Sequence, residues 1–392
     1  MYEEIKQFFQ TTFHREARYL FSAPGRTELS GNHTDHQLGK VLAGAVDLDT
    51  IAAVAPNGEP VIRVQSEGYP RCVIELDDLA VHPAETGTTA ALIRGTAAGI
   101  AAHGFSVPGF DACVTSRVLA GSGLSSSAAF EVLLGTILNH LTQAGLNALE
   151  IARIGQYAEN VYFGKPCGLL DQAASSLGGV ITIDFADEKA PAVERLELDL
   201  TAYGYALCIV DSGADHADLT DEYAAIPGEL RAINTHFGKT HLREVPEEDF
   251  YAALPALRRE AGDRAVLRAI HVYEENRRVT EQVAALKRGD FDRFLELVKA
   301  SGRSSWMYLQ NVIPAGYKAH QDLAVALALA EKLLGGRGAC RVHGGGFAGT
   351  IQAFVPLDML ARFRSEMDAA LGEGSCLVLS IRSAGGILLE VL

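Results

Sequence analysis

The chain is expected to fold as an α+β protein in two domains. Three observations lead there. At 392 residues it exceeds the size at which a single hydrophobic core usually stops growing. Apolar runs of strand length and amphipathic stretches of helix length occur in both halves, so neither half reads as all-helical or all-β. With 48% hydrophobic and 21% charged residues, there is enough apolar surface for two cores.

The elements follow in order. Gly39 to Pro56 is a long, mostly apolar run with β-branched residues and predicts one or two buried strands. Val61–Gln65 and Cys72–Leu76 continue as a meander. Ala90–His103 predicts a helix, and Phe110–Val118 alternates like a half-exposed strand. Ser125–Gln143 opens on serines that suit a helix N-terminus and carries an apolar stripe of Val132, Leu133, Ile137, Leu138 and Leu141. Ala148–Phe163 predicts a second helix, stopped by Gly164 and Pro166. Val180–Phe185 and Tyr205–Val210 read as strands. The charged loop between them, Ala186–Ala192, marks the handover between domains, giving residues 1–195 and 196–392. The second half predicts helices near 219–237, 249–262, 267–286, 290–301 and 320–334. Strands follow around Cys340–Arg341, Thr350–Val355, Cys376–Ile381 and Ile387–Leu392. The last two flank Ser383-Ala384-Gly385-Gly386, a turn suited to a hairpin.

Composition removes several classes of function. A formal net charge of −15 argues against nucleic acid or an anionic membrane as partner. No apolar run approaches the roughly 18 to 20 residues that span a bilayer. Met1–Gln10 has two early glutamates and no apolar core, unlike a signal peptide. The six cysteines are scattered without ligand spacing, as reduced core thiols would be. A cytoplasmic protein is expected. The sequon Asn32-His33-Thr34 is then accidental.

Four stretches carry chemistry. Gly121-Ser122-Gly123-Leu124-Ser125-Ser126-Ser127-Ala128 lies between a strand and an amphipathic helix. Glycines allow close backbone approach, serines add donors, and the helix N-terminus supplies positive potential. It lacks the lysine of the common GxxxxGK[ST] loop, and it is either a phosphate cradle or a serine-capped turn. His343-Gly344-Gly345-Gly346 is costly to order, so it is either a tight turn or a backbone forced into crowded space. The polar run from Pro24 to Gln37 precedes an apolar strand and suits the lining of a pocket, with metal ligation by His33, Asp35 and His36 as the lesser alternative. In Gly168-Leu169-Leu170-Asp171-Gln172 a carboxylate sits in apolar surroundings, as either a catalytic group or a buried structural one.

Together and in this order, the four stretches resemble the GHMP kinases, and within them the galactokinases. The resemblance spans nearly the whole chain. It implies an N-terminal domain of ribosomal-protein-S5-like α/β type, a C-terminal α+β domain, and an active site in the cleft between them. It implies ATP as co-substrate, Mg²⁺ as cofactor, a small-molecule sugar as substrate, and a monomer or weak oligomer. Residue by residue, Asp171 matches the aspartate that receives the sugar hydroxyl proton, and Arg26 the arginine that keeps it ionised. Asn32, His33, Asp35, Gly168 and Tyr223 match sugar-binding positions. Residues 121–128 match the nucleotide loop and Gly344–Gly346 the glycine motif. Ser127 and Glu159 match the ligands of the magnesium ion.

The departures concern the substrate. Where the family has Gly-Glu-His, this chain has Gly31-Asn32-His33. The family glutamate accepts from the C6 hydroxyl of galactose, whereas asparagine carries no charge and both donates and accepts. Galacturonate is therefore an alternative substrate to galactose, and the His-x-Asp-His-Gln run is shared with galacturonate kinases. Ala348 stands where glycine is usual, and the family's arginine pair after Tyr223 is missing. The expected activity is that of a sugar 1-kinase, with a non-catalytic sugar- and ATP-binding regulator as the competing class.

Overall fold

The computed structural model describes residues 2–118, 123–187, 189–213 and 219–392. The chain opens with helix α1 (Tyr2–Phe13), whose buried Ile5 and Phe9 sit against one face of the first sheet, on Leu20, Ile51, Ala53 and Cys113. The sheet begins with β1 (Tyr19–Ser30) and the long β2 (Lys40–Pro56), paired antiparallel. β3 (Val61–Ser66) and β4 (Cys72–Glu75) form a hairpin. The chain then passes through α2 (Thr89–Ala102) to β5 (Phe110–Ser116), which inserts between β2 and β3 and runs parallel to β3. The expected meander is thus interrupted: β5, not β3, is the neighbour of β2.

Helices α3 (Ser126–Thr142) and α4 (Ala148–Tyr157) cover the other face with α2. Alternation does the sorting. Leu20, Ile51 and Ala53 point to α1, while Phe21, Ala52 and Val54 point to the helical layer. α4 runs directly into a π turn, Ala158–Phe163, and α5 (Leu170–Leu177) follows. β6 (Val180–Asp184) pairs with the first half of β2 and β7 (Ala192–Leu196) with β6.

The second sheet is antiparallel throughout, in the order β11 (Cys376–Leu379), β8 (Tyr205–Asp211), β10 (Thr350–Pro356), β9 (Ala339–Val342). Between β8 and β9 lie α6 (Thr220–His236), α7 (Glu247–Ala252), α8 (Leu254–Glu260), α9 (Asp263–Lys287), α10 (Phe291–Ser304) and α11 (Asp322–Leu334). α12 (Leu360–Leu371) joins β10 to β11. No helix among the described residues is long and apolar enough to cross a membrane.

Several sequence expectations need correction. β11 does not form a hairpin with β12 (Ile387–Val391). β11 pairs with β8, and β12 crosses to pair with β1 in the first sheet. The intervening glycines serve close packing: a Cβ on Gly385 would lie 2.0 Å from the Ser176 carbonyl oxygen. The charged loop after Asp184 is the turn of the β6–β7 hairpin, so the chain leaves the first sheet only between Leu196 and Tyr205. β5 is buried from Phe110 to Val114, because Arg15 and Arg63 cover its polar residue Asp111. Much of the polar run 24–37 is itself strand, the second half of β1, and it is buried because the second domain covers it.

Candidate active site

Arg26 and Asp171 meet where β1 and α5 are pinned together. The Ser175 hydroxyl donates to the Pro24 carbonyl at 2.7 Å. One turn earlier on α5, Asp171 accepts from Arg26 Nε at 2.7 Å and from Nη2 at 2.9 Å. This is a bidentate, charge-assisted pair. Arg26 is buried and Asp171 is half-buried. Burial by itself raises the Asp171 carboxyl, but the Arg26 charge and hydrogen bonds, with a bond from Ser125, hold it below the ordinary aspartate value.

The loop expected to cradle phosphate arrives at the same place. Gly121 and Ser122 lie outside the described residues. From Gly123 onward the backbone is tight against β1: the Leu124 carbonyl accepts from the Arg26 N–H at 2.9 Å, and Arg26 Nη1 donates to the Gly123 carbonyl at 2.5 Å. Gly123 has φ +70°, and a Cβ there would lie 2.7 Å from Thr350 Oγ1 and 3.0 Å from His343 Nδ1. Leu124 and Ala128 are buried. Ser125 adopts a left-handed backbone, φ 60°, and turns its hydroxyl to Asp171 rather than capping α3. The first-turn N–H groups of α3 therefore have no side-chain cap at Ser125, and Ser126 and Ser127 stand half-buried beside them.

Ser127 Oγ is 3.2 Å from Glu159 Oε1, and Lys165 Nζ is 3.3 Å from the same oxygen. Glu159 is buried at the start of the π turn, a local widening common at functional sites. Its other oxygen accepts from Gln172 Nε2 at 2.8 Å. Gln172 also donates to Glu131 at 2.9 Å. Burial, with the neighbouring Glu159, pushes the Glu131 carboxyl well above its ordinary value. Among the described residues no group of three or more His, Cys, Asp and Glu side chains converges as a metal cage. The hard oxygens of Ser127 and Glu159 fit a magnesium ion that keeps most of its ligands as phosphate and water.

On the other side of Asp171 lies the sugar signature. Gly168 packs directly on Asp35, since a Cβ there would lie 2.1 Å from Asp35 Oδ2. Burial raises the Asp35 carboxyl above its ordinary value, partly offset by His33. His33, with φ 58°, makes a 3.0 Å hydrogen bond with the Gly345 carbonyl. The glycine run is a crowded backbone. A Cβ on Gly346 would lie 2.1 Å from the Asn311 carbonyl, and one on Gly345 2.7 Å from the Tyr223 ring. Tyr223 donates to the Gly346 carbonyl at 2.7 Å. Asn32 is only 1% exposed, and it donates to Glu28 at 3.0 Å and the Gly344 carbonyl at 2.6 Å while accepting from Asn311 at 2.8 Å. Its side chain is engaged by the protein on every side.

The structure thus brings Arg26, Asp171, residues 123–128, Glu159, Gly168, Asp35 and His33 together in one region, with Asn32, Tyr223 and Gly344–Gly346 packed next to His33. Sequence reasoning missed the buried layer that joins the two domains. His343 contacts Thr27 at 3.1 Å and Thr350 at 2.9 Å, Arg341 pairs with Glu28 at 2.6 Å, and Gln352 donates to Thr27 at 2.7 Å. A signal was present: Thr27, Glu28 and Ser30 are polar at neighbouring strand positions, as expected of a strand packed on a polar partner.

A family model for the galactokinase galactose-binding signature matches residues 7–56, and one for the GHMP kinase N-terminal domain matches residues 91–179. The fold is similar to that of Lactococcus lactis galactokinase complexed with galactose, at 25% identity and TM-score 0.84, covering 99% of this chain and 100% of that one. It is similar to Methanococcus jannaschii mevalonate kinase at 13% identity and TM-score 0.65, covering 94% and 99%. Streptococcus pneumoniae phosphomevalonate kinase, in complex with phosphomevalonate and AMPPNP, matches at 11% identity and TM-score 0.62, covering 94% and 99%. The last two likenesses speak for the fold alone. The chain thus carries a stretch that matches the galactokinase galactose-binding signature and a stretch that matches the GHMP kinase N-terminal domain, on a fold similar to that of a galactokinase.

Proposed function

We propose that this chain is an ATP-dependent sugar 1-kinase that phosphorylates the anomeric hydroxyl of galactose or a close relative. The observation that carries the reading is the Arg26–Asp171 pair, set between the end of the phosphate loop and the sugar signature. Asp171 is ionised at neutral pH and accepts the proton of the anomeric hydroxyl as that oxygen attacks the γ-phosphorus, whose bond to the β,γ-bridging oxygen breaks so that ADP leaves. Arg26 holds the carboxylate in orientation and offsets charge on the transferred group. Little covalent chemistry is asked of the protein, and positioning with charge neutralisation supplies the rate.

His33, Asp35 and the backbone of Gly168 face the sugar. Asn32 and Tyr223 shape its wall through Gly344–Gly346. The loop from Gly121 to Ala128 and the first turn of α3 receive the nucleotide phosphates. Ser127 and Glu159 would hold Mg²⁺, which neutralises phosphate oxygens when bound. The C6-carboxylate alternative loses support here, because the Asn32 amide it relies on is already engaged by Glu28, Gly344 and Asn311. All of the groups invoked come from one chain, so a monomer suffices. The cysteines are free, which suits the cytoplasm. The test is ADP release with galactose, galacturonate, N-acetylgalactosamine and arabinose in parallel. Turnover on galactose supports the reading, and sugar binding without ADP release from any of them overturns it in favour of a regulator.

A further inference from the structure

One group in the crevice has no part in the reaction as described. Gln172 follows Asp171, is fully buried, and sends its amide away from the sugar toward two carboxylates. Glu131, its second acceptor, is also fully buried and lies one helical turn beyond Ser127 on α3. Gly155 on α4 makes the space. A Cβ there would lie 3.1 Å from the Glu131 Cβ and 3.2 Å from the Gln172 Cγ. We infer that Gln172, clamped by Glu131 and berthed against Gly155, is a positioning residue that fixes the Glu159 carboxylate toward Ser127. The inference rests on the reading that Glu159 and Ser127 hold the divalent ion.

The geometry decides which Glu159 oxygen does what. Gln172 Nε2 occupies Oε2, and Oε1 is left to face Ser127 and Lys165. The amide cannot turn over without cost. A flip would set its carbonyl oxygen against two carboxylate oxygens with no donor between them. Glu131 therefore works as a lock on the amide, which in turn locks Glu159. Without the amide the Glu131 and Glu159 side chains would face each other, and Glu159 would be free to rotate.

Groups that orient a metal ligand from behind typically change metal affinity by roughly 10- to 100-fold when removed. The test measures Mn²⁺ binding by electron paramagnetic resonance, on the full chain with a non-hydrolysable ATP analogue, beside KM values for MgATP and for sugar. Gln172→Leu keeps the volume and removes the amide. It is expected to weaken Mn²⁺ about tenfold and raise KM for MgATP, with KM for sugar unchanged. Glu131→Gln offers the Gln172 amide a donor as well as an acceptor, so it releases the lock and is expected to weaken Mn²⁺ too. Gly155→Ala improves helix propensity yet presses on both side chains, so it is expected to weaken Mn²⁺ as well. That variant keeps the inference falsifiable if Gln172→Leu does not fold. Glu159→Gln separates the two levels. If it weakens Mn²⁺ while Gln172→Leu and Gly155→Ala bind like wild type, the positioning role is overturned and the metal reading stands. If Glu159→Gln itself binds like wild type, the metal reading falls and takes the inference with it.

Discussion

Arg26 and Asp171 are 145 residues apart in the chain and share two parallel hydrogen bonds of 2.7 and 2.9 Å. The pair joins the middle of a strand to the first turn of a short helix, and the Ser125 hydroxyl completes the carboxylate's shell. Asp171→Asn keeps the shape and removes the base. Turnover is expected to fall by about 10²- to 10⁴-fold, the usual contribution of a positioned base, with the thermal midpoint little changed. Near-normal ADP release from this variant would remove Asp171 as the proton acceptor.

If Asp171 is the base, as proposed, the same pair sets the acid side of the pH profile. The Asp171 carboxyl lies below its ordinary value because Arg26 outweighs burial. A depressed pKa keeps the base ionised at neutral pH, so its limb in kcat/KM falls only below the ordinary aspartate range of about 3.9. Arg26→Gln removes the charge and leaves burial as the dominant influence, so the carboxyl rises. The acid limb is then expected to move upward in pH. A limb that stays in place in Arg26→Gln would mean another group controls it.

Much of this site was legible from local signals. Gly123–Ala128, Asp171 and the glycine run each announce themselves, because glycine clusters and isolated carboxylates in apolar sequence are locally costly. The helices were legible where the apolar stripe is long, as in α3 and α4. The buried half of β1 was not, because its partners Arg341, His343 and Gln352 lie more than 300 residues away. Nothing local says that Glu28 will find an arginine. The eight residues of α5 are too few for periodicity to register. Gln172 and Glu131 escaped for the same reason as β1, since their meaning lies in a contact 41 residues apart.

Gly168 tests the sugar side of the crevice. Any side chain there collides with the Asp35 carboxylate, which a Cβ would approach to 2.1 Å. Gly168→Ala is expected to displace Asp35 and to raise KM for sugar about tenfold or more, as small misplacements at a site do. KM for MgATP should hold, because Ser127 and Glu159 lie on other elements. An unchanged sugar KM would detach Asp35 from substrate binding.

Acid stability follows from His271. Its Nε2 contacts the Asn32 carbonyl at 3.0 Å and its Nδ1 contacts Ser304 Oγ at 2.8 Å. A carbonyl only accepts, so Nε2 carries a proton, and the Ser304 hydroxyl can serve as the donor to a bare Nδ1. Burial lowers its pKa from 6.5 to about 4. Between those values the unfolded chain binds the proton and the folded one does not. Stability is therefore full above pH 6.5 and is lost as pH falls through the window, at up to about 1.4 kcal/mol per pH unit for this residue. His36, lowered to about 3 mainly by burial, adds to the same loss. His271→Gln should flatten the slope by one proton's share in urea unfolding at pH 7, 6 and 5. An unaltered slope would place the proton elsewhere.

Asn32 offers the sharpest test of how this sugar signature departs from the family's acidic one. Its amide nitrogen donates to the Glu28 carboxylate at 3.0 Å and to the Gly344 carbonyl at 2.6 Å, deep in the layer between the domains. Asn32→Asp is isosteric, but it turns a donor into an acceptor facing two acceptors and sets a second carboxylate beside Glu28. Arg341 is already committed to Glu28 and to the Leu29 carbonyl, so it can neutralise one charge and not both. The expected cost is about 3 kcal/mol, read as a lower thermal midpoint. The glycine run, which hangs on the same amide, should loosen with it and raise KM for sugar. Adding Glu28→Gln removes the facing charge, so the double variant should recover part of the loss as a positive coupling in a double-mutant cycle. Independent, additive effects would show that the two side chains do not oppose each other, and that the acidic residue usual at this position was excluded here for some reason other than Glu28.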